Sequence, residues 1–123
     1  MALTDGHNFL SRQPTALAAL ALVAIQRRQP AEALALAERG LAAASRGSWL
    51  REGSILRLVR AEALHALGQR CDARAVVAEA RERIERIAAT LEDPELRSDY
   101  LTNIAANART LQLAQIWLAE DVA

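Results

Sequence analysis

The sequence predicts an all-α protein, a short stack of two helical hairpins followed by a C-terminal capping helix. Three observations predict it. Two segments about forty residues apart nearly repeat each other, PTALAALALVAIQRRQPAEALALAERGLAAA and SILRLVRAEALHALGQRCDARAVVAEARERI, and each reads as helix, tight turn, helix. Hydrophobic residues make up 52% of the chain but aromatics only 3%, and much of the apolar content is alanine. Such a core is built from closely approaching helices carrying Leu, Val and Ile. Apolar positions also recur at spacings of three and four, the period of a helix with one buried face. A hairpin of this kind can bury its apolar face only against a neighbour, so a chain that repeats one presents a surface rather than a reaction centre.

Residues 1–13 contain Thr4, Asp5, Gly6 and Asn8, which favour turns, and read as a tail or the worn end of a preceding element. Residues 14–120 read as one domain. The first helix opens at Pro14, whose missing amide hydrogen would be unpaired there anyway. It should run to about Arg28 with Leu17, Leu20, Ala21, Ala24 and Ile25 on one face. Gln29-Pro30 breaks it and starts the second, with Glu32 in the first turn where a carboxylate suits the helix dipole and Leu34, Ala37, Leu41 and Ala44 as its core stripe. Ser45 to Ser48 stop this helix, with Gly47 suited to a left-handed closing residue. The third helix should begin near Ser48 or Trp49 and run to Leu67.

Gly68 supplies the next turn and Asp72 opens the fourth helix. There Ala73, Val76, Val77, Ala80, Ile84, Ile87 and Leu91 form the clearest amphipathic stripe in the chain. The opposite face offers the pairs Glu79 with Arg83, Arg81 with Glu85 and Glu82 with Arg86, worth about 0.2–0.5 kcal/mol each. Asp93-Pro94 ends that helix, because the residue before proline avoids helical angles. A short helix should follow through Leu101. A last one, from about Asn107 to Glu120, should bury Leu111, Ala114, Ile116, Trp117 and Leu118 and cap the stack.

Charge and motif content exclude several functions. The chain has 123 residues, with 15 basic and 15 acidic, and every basic residue is arginine. A net charge of zero gives no general reason to expect a nucleic-acid or membrane partner. Arg46, Arg51, Arg57, Arg60 and Arg70 gather around Trp49, a combination that can hold single strands, but Glu52 and Glu62 interrupt it. The apolar run from Pro14 to Ile25 behind Arg12 imitates the core of a secretory signal, yet it is too short to span a bilayer and Asp5 sits in the would-be basic leader. A cytoplasmic protein is expected. One cysteine rules out an internal disulfide framework.

No metal site is expected, since His7, His65 and Cys71 do not fall at ligand spacing, and the scattered glycines make no phosphate loop; no cofactor is expected. Cys71 stands at a helix N-terminus between Arg70 and Arg74, where a thiolate is favoured, with His65 about a turn and a half earlier. A thiol-dependent enzyme is therefore one alternative. The bland reading is a small residue at a hairpin turn.

The two hairpins resemble tetratricopeptide repeats. Superposing them puts Ala21 over Ala61, Ala33 over Ala73 and Gly40 over Ala80, small residues where that family crosses its paired helices. Gly68 falls where the family has a glycine before its second helix. Arg28 stands at that glycine's place in the first repeat, and Arg57 and Arg60 stand where the family buries large apolar side chains. The spacing exceeds the family's usual period of about 34. The tail DPELRSDYLTNIAANARTLQLAQIWL resembles the end of helical-repeat regions in large bacterial signalling proteins, where they follow a kinase or ATPase module. The resemblance implies an interaction or regulatory segment. No kinase lysine, catalytic aspartate or phosphate loop accompanies it.

It also implies a groove lined by the first helix of each hairpin. That groove would offer Ala18, Leu22, Ile25, Ile55, Leu58, Glu62 and His65, and would receive an amphipathic helix or peptide from a protein partner or be filled by the chain's own last helix. Arg57 and Arg60, if exposed, would pair with acidic groups on the partner, since a guanidinium holds a carboxylate through two hydrogen bonds. The runner-up is a self-associating bundle whose homodimer interface is the function. Neither reading makes or breaks a bond.

Overall fold

The structure, a computed structural model, describes residues 13–45 and 49–122. Residues 1–12, 46–48 and 123 lie outside it, and with them His7, most of the expected tail and Gly47. Among the described residues there are six helices and no strands: α1 Pro14–Gln26, α2 Pro30–Ala44, α3 Leu50–Ala66, α4 Arg70–Ala89, α5 Pro94–Thr102 and α6 Ala105–Val122. The chain is all-α, as expected.

Proline starts three of these helices. Pro14, Pro30 and Pro94 each occupy a first-turn position, where a residue without an amide hydrogen leaves one fewer donor to satisfy. Asp93 adds a side-chain cap, its Oδ1 accepting from the Glu95 amide at 2.9 Å. α4 ends at Ala89, short of the expected stop at Asp93-Pro94 and before Leu91: Thr90 closes it, its hydroxyl donating to the Ile87 carbonyl at 2.6 Å. Arg97 of α5 then donates twice to the Leu91 carbonyl, at 3.1 and 2.7 Å. Those two bonds fold α5 back onto the end of α4.

Consecutive helices pack against one another through α4, α3 also packs on α1, and α6 packs on α4 and α3. α3 is therefore covered on two sides. Leu56, Val59 and Ala63 meet Ala18, Ala21, Ala33 and Ala37 in one core cluster. Leu58, Ala61 and Leu64 meet Val76, Val77, Leu113 and Trp117 in another. A helix buried on two faces has no single apolar stripe, and α3 accordingly shows apolar residues nearly all round.

The alanines allow close approach: Ala21, Ala33, Ala37, Ala61 and Ala73 are completely buried. Gly40 takes this furthest. A Cβ on Gly40 would stand 2.5 Å from Leu56 Cδ2, so α2 crosses α3 at a point where only hydrogen fits.

The expected α4 stripe is buried from Ala73 to Ile84, with Ile87 and Leu91 half-buried. Two expected core residues are instead exposed, Leu20 at 43% and Ile116 at 48%. Each sits about 60° around its helix from a buried leucine, Leu17 and Leu113, on the side away from the rest of the stripe. Spacing of three was enough to suggest them and not enough to cover them. On the outer face of α4, Arg81 pairs with Glu85 at 3.8 Å and Arg86 with Glu82 at 3.1 Å. The third expected pair is not made: among the described residues Glu79 and Arg83 form no ion pair, and both line a cavity instead.

Candidate functional site

The first helices of the two hairpins and the start of α6 enclose an open recess of about 720 Å³. Leu22 of α1 forms one wall, Ile55 and Leu58 of α3 the floor, and Ile104 and Ala106 the far wall. Two cations, Arg51 and Arg109, stand among these apolar groups. The recess owes its shape to three helices aligned by the α1–α3 and α3–α6 contacts. Thr15 of α1 helps fix that alignment by donating to Glu52 Oε2 at 3.2 Å. The last helix thus lines the recess rather than filling it.

The eight residues expected at a partner site do not share one surface. Leu22, Ile55 and Leu58 meet in the recess. Ile25 packs half-buried on the α1–α3 core. Glu62 is half-buried, and burial raises its carboxyl above the usual range, with the Arg109 charge pulling the other way. His65 lies against Trp117 in a parallel stack, ring centroids 4.4 Å apart, so its ring packs on the core.

Arg57 and Arg60 are elsewhere. They line a second cavity, of about 440 Å³, between the end of α2, α3 and α4, together with Trp49, Val76, Glu79 and Arg83. Their place explains why they interrupt the α3 repeat pattern: this side of α3 is only half covered, which leaves room for guanidinium heads. Arg57 is held below the usual guanidinium range by burial first and the nearby Arg83 charge second, against the pull of Glu79 and Tyr100. Arg60 reaches Glu38 at 3.9 Å.

Two polar residues in the core were not foreseen from sequence. Asn107 and Thr110 are completely buried on α6. Thr110 donates to the Ala106 carbonyl one turn back at 2.7 Å, and Asn107 Nδ2 donates to the Tyr100 carbonyl at 3.0 Å, tying α6 to α5. The only sequence signal was a gap in the apolar stripe between Ala106 and Leu113.

Cys71 is exposed, with Arg74 Nη2 3.6 Å from its sulfur. Among the described residues no three His, Cys, Asp or Glu side chains gather to hold a metal ion, and no helix is long and apolar enough to cross a membrane. No family model, no curated protein and no solved structure matches the chain.

Proposed function

We propose that the chain is a protein-interaction module of tetratricopeptide-like build, with the apolar recess as its docking surface and an amphipathic helix of another protein as the ligand. The observation that carries the reading is the recess itself. Leu22, Ile55, Leu58 and Ile104 form an apolar strip flanked by two arginines, Arg51 and Arg109. A helix that presents leucine-like anchors along one face and carboxylates beside them complements such a strip. Support for the repeat assignment comes from the small buried residues at the helix crossings, Ala21, Ala33, Gly40, Ala61, Ala73 and Ala80, and from the two turns described below. The function needs no covalent step, and regulation by occupancy of the recess fits the bacterial signalling segments that the tail resembles.

A homodimer is the second reading, favoured by Leu20 and Val23, both exposed on α1. Placing a photo-crosslinking residue at Ile55, and separately at Arg81 on the outer face of α4, separates the two. The proposal expects adducts to a different protein from position 55 and none from position 81. Adducts only between copies of the chain would give the function to self-association, and equal labelling from both positions would remove the recess as a docking surface.

A further inference from the structure

The arginine-lined cavity on the other side of α3 shares no lining residue with the recess. Among the described residues three arginines, Arg57, Arg60 and Arg83, line it with one acidic residue, Glu79. Arg57 and Arg83 have no hydrogen bond or ion pair among the described residues. Arg60 Nε is buried and makes no hydrogen bond, with the Glu38 carboxylate 3.9 Å away. A buried donor without a partner costs free energy, and like charges brought together cost more. A cavity of about 440 Å³ is within the range of small-ligand sites.

We propose that this cavity binds a small organic oxyanion, a phosphate or carboxylate held by Arg57, Arg60 and Arg83 and carried on a planar ring that lies against Trp49. Guanidinium forks are matched to either oxyanion through paired hydrogen bonds, and Trp49, which also lines the cavity, offers an indole for a ring to pack on.

Gly53 fixes the geometry. It lies one helical turn before Arg57, and a Cβ there would meet Arg57 Nη1 at 2.7 Å. The guanidinium head rests in space that any other residue would occupy. Gly53 is therefore a positioning residue that acts through Arg57.

The test is calorimetric titration of the full chain with adenosine monophosphate, benzene-1,2-dicarboxylate, inorganic phosphate and adenosine. One or both of the ring-bearing anions should bind, and the tighter of the two tells whether phosphate or carboxylate is preferred. Inorganic phosphate should bind at least about tenfold more weakly, and adenosine should not bind. Arg83→Gln, at an exposed position, should weaken binding by about tenfold or more, the loss of one charge-assisted hydrogen bond. Gly53→Ala should weaken it comparably while leaving thermal stability equal or higher, because alanine favours helix over glycine. Absence of binding by every anion, or binding undiminished in both variants, would overturn the proposal. Equal affinity for inorganic phosphate would remove the ring from it.

Discussion

The two hairpins make the same turn with different residues. In the first, the residue with positive φ is Arg28, at 59°; in the second it is Gly68, at 84°. The flanking hydrogen bonds correspond one for one. The Arg28 amide reaches the Ile25 carbonyl at 3.2 Å and the Gln29 amide reaches Ala24 at 2.9 Å. About forty residues on, Gly68 reaches His65 at 3.1 Å and Gln69 reaches Leu64 at 2.9 Å. The turn geometry is imposed by the packing of the two helices it joins, and a non-glycine residue accepts the left-handed conformation when packing requires it.

Side chains diverge more than the backbone does. Leu17, completely buried in the first hairpin, corresponds to Arg57 in the second; Leu22 in the recess corresponds to the half-buried Glu62; Ile25 corresponds to His65 on Trp117. At these three positions the first hairpin is aliphatic. In the second, every one of these substitutions puts a polar group where α3 is contacted by α4 or α6. The repeat unit is thus preserved as a way of crossing helices, while the chemistry on its surface is concentrated in the second copy.

The comparison breaks most sharply at Leu17 and Arg57. Leu17→Arg should cost about 4 kcal/mol or more, a large share of the stability of a domain this size, because an unpaired charge enters a sealed position. Arg57→Leu should leave thermal stability unchanged or higher, since it removes a partly desolvated guanidinium facing Arg83. Thermal denaturation of the pair checks both; equal losses would mean the two positions are equally covered.

Smaller effects belong to the helix crossings. Gly40→Ala forces a methyl onto Leu56, a cost of about 1–3 kcal/mol offset by about 1 kcal/mol of helix propensity, so a net loss of about 1 kcal/mol is expected in urea unfolding. Its counterpart Ala80→Gly should also lose about 1 kcal/mol, for the opposite reason of backbone entropy. At the turns the signs reverse. Arg28→Gly should stabilise by about 0.4–1 kcal/mol by relieving a left-handed arginine, and Gly68→Ala should destabilise by about 1 kcal/mol although no atom lies in the way of the methyl.

The smallest effect is at Glu62. Its carboxyl is raised in the folded chain, so folding takes up a proton. The fold is then favoured below the ordinary carboxylate pKa, and that contribution is lost as pH rises through the raised one. Glu62→Gln should flatten this slope in stability measured from acid to neutral pH.

Helix order and hairpin pairing were legible in the sequence because proline and glycine mark the boundaries and the α4 stripe has one clean period. α3 was legible as a helix but not as a central one, since burial on two faces looks like a weak pattern. That ambiguity also blurred the site. Leu22, Ile55 and Leu58 line one recess, whereas Arg57 and Arg60, two and five residues from Ile55, line a cavity on another side of α3, a distinction that depends on where α4 lies. The far wall of the recess, Ile104 and Ala106, was out of reach, because it belongs to a junction whose position is set by the Asn107 to Tyr100 bond.

An open recess awaiting a different protein requires that the chain not cover it with a copy of itself. Molar mass by light scattering on a sizing column, across a dilution series, measures this directly. The account predicts a monomer at every concentration, unchanged by Leu22→Glu. A stable dimer that Leu22→Glu converts to monomer would contradict it, since the recess would then be the surface through which the chain meets itself.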